Sequence, residues 1–174
     1  MILETERLVL RQMEETDLPD LAAILQDPQV MYAYEHAFSD AEVRQWLDKQ
    51  RERYAQHGFG LWAVIENASG AFIGQCGVTM QDVEGREVPE VGYLFRRDRW
   101  RQGFASEAAA ACKKYAFTRL GFPEVWSIIR ENNLPSQHVA LRNGMTLRGS
   151  FVKHYYGMDM LHLLFSVKRN SDAW

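Results

Sequence analysis

The spacing of hydrophobic and polar positions changes several times along the chain, and each change marks an element. Arg7 to Gln12 (RLVLRQ) alternates and reads as a strand. Thr16 to Asp27 (TDLPDLAAILQD) has helical spacing, with Thr16 or Asp17 as its cap and Pro19 in its first turn. Met31 to Phe38 (MYAYEHAF) is aromatic and irregular. Ser39-Asp40-Ala41-Glu42 carries a capping-box pattern, and the helix it opens runs to about Gln56. Val43, Trp46, Leu47 and Tyr54 share one side of it, and Gly58 ends it. Three strands follow, Gly60 to Asn67, Phe72 to Gln81 and Glu87 to Phe95, with turns at Ala68-Ser69-Gly70 and Glu84-Gly85. They predict an antiparallel meander. Ala105 to Leu120 is helical, with Ala108, Cys112, Tyr115 and Ala116 facing inward and Gly121 as its stop. Val125 to Ile129 is a buried strand, and Pro135 opens a helix that ends at Asn143-Gly144. Two strands, about Met145 to Tyr155 and Asp159 to Val167, turn at Gly157-Met158.

The order β-α-α-β-β-β-α-β-α-β-β predicts an α/β (α+β) chain with a mixed sheet. The strand ending at Phe95 and the strand at Val125 to Ile129 are expected to be parallel neighbours. No repeat or Gly/Ser linker divides the 174 residues, so they are read as a single domain with its core from about residue 7 to 168. The 47% hydrophobic and 25% charged content fits a soluble globular protein. The net charge of -3 argues against a nucleic-acid binder, so no DNA partner is expected. Cys76 and Cys112 are too few for a disulfide framework or a zinc site and read as reduced core residues. The five histidines show no metal spacing, and no metal is expected. No signal-like leader and no apolar run of ~20 residues is found, so a cytoplasmic location without membrane contact is expected.

Chemistry concentrates between Phe95 and Ala108. Arg96, Arg97, Arg99 and Arg101 lie between a strand and a helix, with Gly103 and Ala105 at the helix start. Unpaired amides of Gln102, Gly103, Phe104, Ala105 and Ser106, the positive end of the helix and the arginines make an anion site suited to a diphosphate. The competing reading is an arginine-rich surface loop before an ordinary helix. There is no G-x-G-x-x-G fingerprint and no P-loop.

The segment W-R-Q-G-F-A-S-E-A, Trp100 to Ala108, resembles the acetyl-coenzyme-A loop of the GNAT superfamily of N-acetyltransferases, and within it the RimJ/RimL type. The superfamily pattern is Q/R-x-x-G-x-G/A. Trp100 stands at its Q/R position, as is common in that branch, and Arg101 where the branch often has glycine. Thr5 to Arg11 resembles the branch's opening strand, His57 to Val64 its second strand and Pro89 to Phe95 its fourth. Asn133 to Ser136 (N-x-x-S) and Asn143 to Met145 (N-G-M) resemble its penultimate helix motif. The resemblance implies the GNAT fold with a splayed sheet. It also implies transfer of acetyl from acetyl-CoA to a primary amine by direct attack in a ternary complex.

On that resemblance, the backbone of Tyr93, Leu94 and Phe95 holds the pantetheine arm, and Asn133 bonds a coenzyme amide carbonyl. A helix cap is the other reading of Asn133. Glu90 is the candidate general base, with Glu35 its rival, and an ion pair at the sheet edge is its other reading. Ser136 is the candidate near the sulfur, against a serine that satisfies helix amides. The tyrosine that many members carry seven residues after the asparagine is replaced by Ala140. Tyr155 and Tyr156 are further donors. Tyr32, Tyr34, Glu35, His36 and Phe38 would line the acceptor pocket, or else plug the core under a loop. Trp62 and Trp126 read as core, Cys112 as packing and His162 as structural. The acceptor is a small-molecule amine or a protein N-terminus. An exposed fourth strand or exchange of the C-terminal strand would support a homodimer. A non-catalytic acyl-CoA sensor and an arginine-loop RNA binder are the competing functions.

Overall fold

The computed structural model describes residues 1–170. The elements are β1 (Leu3–Glu4), β2 (Leu8–Arg11), α1 (Leu18–Leu25), α2 (Asp40–His57), β3 (Leu61–Glu66), β4 (Phe72–Val83) and β5 (Arg86–Phe95). They continue as α3 (Phe104–Thr118), β6 (Glu124–Arg130), α4 (Leu134–Arg142), β7 (Thr146–Tyr155) and β8 (Met158–Lys168). Among these residues, eight strands form one sheet in the order β1-β2-β3-β4-β5-β6-β8-β7. All neighbours are antiparallel except β5 and β6, which are parallel. That is the crossover expected of a strand–helix–strand unit. No helix among the described residues is long and apolar enough to cross a membrane.

Period-2 alternation divides the core between the two faces of the sheet. Along β3, Trp62 and Val64 join Leu8, Leu10, Ala108, Cys112 and Ala116 under α3. Leu61 and Ala63 join Leu21, Ile24, Val43 and Leu47 under α1 and α2. Because β4 is covered on both faces, its first eight residues are all buried and its sequence does not alternate. Cys76 and Cys112 meet in this core with their sulfurs 3.6 Å apart, both as free thiols.

The local signals of α2 hold in full. Ser39 accepts from the Glu42 amide, Glu42 reaches back to the Ser39 amide, and Gly58 caps the end at φ +79°. Four expectations need correction. A two-residue strand, β1, precedes the first one read from the pattern, and it is too short to show a period. Asp17 stands at the N-cap of α1 but makes no capping bond with its side chain. Its carboxylate is instead engaged by Arg11, at 2.7 and 2.8 Å, and by the Glu14 amide. The last turn is Tyr156-Gly157, both left-handed, and Met158 already belongs to β8. Trp126 is half-buried beneath the Arg86 guanidinium rather than in the core.

The centre of the sheet depends on one close approach. A Cβ at Gly77 would overlap the Gly60 carbonyl oxygen and reach 2.8 Å from the Leu61 Cα. Both obstacles are backbone, so β3 and β4 would have to separate. Gly77→Ala is therefore expected to destabilise the fold by about 3 kcal/mol. Thermal unfolding should show a midpoint roughly 6–12 °C lower.

Candidate active site

The β5–β6 pairing is a single bridge, Glu90 opposite Trp126. One residue on, the Ser127 hydroxyl donates to the Val91 carbonyl at 2.9 Å, and beyond it no ladder joins the two strands. The strands diverge, and the edge of β5 from Gly92 to Leu94 that faces β6 is left open. Two cavities flank this opening, of about 310 and 520 Å³. Tyr93, Leu94, Asn133 and Ser136 line both. The Tyr93 hydroxyl spans the gap, donating to the Ser136 carbonyl at 2.8 Å.

The larger cavity lies at the start of α3. Arg101 and Gly103 both take left-handed backbone, at φ +61° and +81°. For arginine that conformation costs on the order of 1 kcal/mol. The turn brings the first-turn amides of α3 to the cavity wall beside Arg99, Arg101 and Arg142. Two buried polar atoms in this wall lack a partner, the Ser106 Oγ and the Arg99 Nε. A left-handed turn, free helix amides, an orphan hydroxyl and converging arginines fit a diphosphate. Arg7 braces the turn from β2's leading edge. Its guanidinium lies 4.4 Å from the Phe104 ring centre, donates to the Gln102 carbonyl at 2.9 Å and pairs with Glu107 at 2.6 Å.

The smaller cavity holds Glu90. Burial raises its carboxyl to about 7, against the pull of Lys153, of the Ile128 amide that bonds it and of Arg53. Near neutral pH it therefore exists as both acid and base, as a proton acceptor must. Tyr34, Phe38 and Trp46 form the apolar wall.

Residues 7–146 match the family model described as "Acetyltransferase (GNAT) domain". The chain belongs to the GNAT acetyltransferases. The Bacillus subtilis (strain 168) protein YkkB is 36% identical over 144 residues, which cover 82% of this chain and 84% of that protein. N-acetyltransferase p20 of Bacillus licheniformis is 31% identical over 148 residues, covering 84% and 82%. A GNAT-family acetyltransferase structure from Bacillus anthracis superposes with a TM-score of 0.80 at 24% identity, covering 97% of this chain and 98% of that one. Membership makes this an acetyl-CoA-dependent acetyltransferase acting on amines.

The two cavities gather most of the residues singled out in the sequence. Tyr93, Leu94, Phe95, Arg101, Gly103, Phe104, Ala105, Ser106 and Asn133 line the larger cavity, and Glu90 and Ser136 the smaller. Gln102 does not line it, because its side chain turns back to the Asp98 carbonyl at 3.3 Å. Arg96 and Arg97 are held away from the cradle in ion pairs with Asp98 and Asp27. The Phe95 carbonyl accepts the Trp100 indole N–H at 3.0 Å. Asn133 is a helix cap. Its Oδ1 accepts from the Ser136 amide at 3.3 Å and from the Tyr32 hydroxyl at 2.9 Å. Ser136 is relieved of that capping role. Of the aromatic segment, Tyr34 and Phe38 line the smaller cavity and Tyr32 the larger. Glu35 pairs with Arg130, and His36 with Glu42 at 2.8 Å; neither lines a cavity. The rival base Glu35 is therefore turned to an ion pair. His162 is buried and bonded to the Met160 carbonyl at 3.0 Å, and it lines the smaller cavity together with Tyr155 and Tyr156.

Sequence reasoning missed Arg7, Arg142, Lys49, Arg53 and Lys153. For Lys49 and Arg53 a signal was present: they stand one helical turn apart, like charges on the side of α2 that carries Trp46, whereas Lys153 comes from β7 and carried none.

Burial of Glu90 has a consequence for stability. Below its ordinary value near 4.5 both folded and unfolded chains hold the proton. Between there and about 7 only the folded chain keeps it, so folding loses stability as pH rises and the loss is complete above 7. Glu90→Gln removes this loss. It should be more stable than wild type at pH 8, by up to roughly 3 kcal/mol, and the gain should vanish at pH 4. Denaturant melts at the two pH values measure it.

Proposed function

We propose that the chain binds acetyl-CoA in the cavity at α3 and passes the acetyl group directly to a primary amine held in the cavity at Glu90. The shared wall of Tyr93, Leu94, Asn133 and Ser136 carries this reading. It brings two ligands together at the splay, with no side chain needed as a covalent relay. The loop W-R-Q-G-F-A-S-E-A supports a RimJ/RimL-type relationship, and the acceptor is a protein N-terminal α-amine or a small-molecule amine.

The bound co-substrate supplies a thioester carbonyl. The protein's residues do the rest. The α3 amides, Ser106, Arg99 and Arg101 hold the diphosphate. The open edge of β5 at Tyr93 and Leu94 aligns the pantetheine arm, and an N–H there steadies the developing oxyanion. With Oδ1 engaged in the cap, Asn133 meets a coenzyme carbonyl through Nδ2, its only donor group. Glu90 takes the proton from the attacking amine, directly or through water. The Ser136 hydroxyl, not needed for capping, stands at the junction to donate toward the leaving thiolate.

Two results are expected. Acetyl-CoA at ~100 times its Kd should stabilise the protein by about 2.7 kcal/mol, a shift on the order of 5–10 °C. Gly103→Trp, which places a side chain on the left-handed turn, should fold and show no shift. An unmoved wild type would remove the coenzyme site from this loop. In turnover, kcat/KM should rise with pH through about 7 as Glu90 ionises. Glu90→Gln should lose that limb and roughly 10²–10⁴-fold in rate. A limb near 7 that survives in the variant and does not move with the pKa of the acceptor amine would assign the base elsewhere.

A further inference from the structure

The acceptor cavity holds more positive charge than acetyl transfer to an amine requires. Lys49 and Arg53 line it from α2, and Lys153 from β7. Arg53 and Lys153 are half-buried and Lys49 is more exposed. None of the three is in an ion pair among the described residues. Arg53 donates to the Gln50 side chain at 3.2 Å, and Lys153 lies 6.0 Å from the Tyr155 ring centre. The fourth cation of the wall, Arg130, is neutralised by Glu35. Among the described residues that line this cavity, Glu90 is the only carboxylate. Three cations therefore face one anion.

This arrangement works against the fold. Like charges one turn apart destabilise a helix. Burial, then Arg53 and Lys153, push the Lys49 ammonium below its ordinary range. A buried donor in the same wall is also unmatched. The Trp46 indole N–H, which can only donate, bonds the Gln75 Oε1 at 2.9 Å and so fixes that amide's orientation. Gln75 is fully buried and its Nε2 has no partner. The wall is thus rich in donors and short of acceptors, while a protonated amine presents only donors and a positive charge.

We propose that the acceptor amine carries an anionic group, a carboxylate or a phosphate, seated against Lys49, Arg53 and Lys153 with its nitrogen at Glu90. The inference rests on the assignment of this cavity to the acceptor. The anion would complete the cation cluster and anchor the small molecule, so that its amine approaches the splay in one orientation. A cavity of about 310 Å³ admits a compact molecule, and Tyr34, Phe38 and Trp46 offer its body an apolar wall. Polyamines and aminoglycosides, which bring several positive charges, are disfavoured by the same cluster.

The test compares matched acceptors under saturating acetyl-CoA at pH 8.5. The pairs are phenylalanine against phenylalaninamide and ethanolamine phosphate against ethanolamine, with spermidine as the polycation. Phenylalaninamide has the more easily deprotonated amine, so the first pair is weighted against the proposal. The anionic member of at least one pair should lead in kcat/KM by about tenfold or more, and the leading pair identifies the anion. Lys49→Met and Lys153→Met should each reduce that ratio by about tenfold through KM. Lys153→Arg should retain it. The ratio is the readout because Lys153 also acts on Glu90, and that effect is common to both members of a pair. A retained acetyl-CoA melt shift identifies folded variants. Ratios near one in wild type, ratios unmoved in both methionine variants, or preference for spermidine would overturn the anionic subsite and leave the transferase reading standing. Transfer to none of the five amines would overturn the anionic subsite, and only an absent acetyl-CoA melt shift in wild type would overturn the transferase reading as well.

Discussion

The incomplete pairing of β5 with β6 is the constraint on which the rest of the site depends. Parallel strands in a covered sheet normally form a continuous ladder. Here one bridge at Glu90, one hydroxyl bond from Ser127 and the Ile128 amide on the Glu90 carboxylate join the two strands before they part. A strand edge in the middle of a sheet would ordinarily leave buried amides and carbonyls without partners. In this fold the open edge lies between two cavities, where a ligand backbone can complete it. Glu90 is the last paired residue of β5, so the candidate base marks the point where the opening begins.

Electrostatics then distinguishes the two cavities. Both are basic, by different means. The larger uses main-chain amides at a helix start, a left-handed turn and arginines, a geometry matched to phosphate oxygens. The smaller uses long side chains from α2 and β7 around one half-buried carboxylate, Glu90, the only one lining it among the described residues. Burial raises Glu90, while Lys153 and Arg53 limit the rise, so the same cations hold its proton affinity near neutrality.

Much of the fold was legible in the sequence where its cause is local. The Ser39 capping box, the Gly58 stop and the Glu84-Gly85 turn are read from neighbouring residues, and the structure carries each. The parallel neighbours followed from a chain rule rather than from any residue. Asp17 was misread because its partner is Arg11 on another element. Within the site, the α3 loop was legible because its residues are contiguous. The splay was legible only through the resemblance, since no pattern in β5 or β6 announces it. The Lys49–Arg53–Lys153 cluster was not legible because β7 meets α2 only in the folded chain, about a hundred residues later.

The brace made by Arg7 ties the turn at Arg101 and Gly103 to folding order. Its bonds to Gln102 and Glu107 join residues 95 and 100 positions apart. Closing a loop of that length is entropically slow and late. The turn at Arg101 and Gly103 therefore has little of its own to hold it until the leading edge of the chain has docked on α3. A nascent chain would carry the whole loop sequence and still lack the cavity wall that the loop forms. That wall would arrive in one step, with the closure of Arg7 onto the helix.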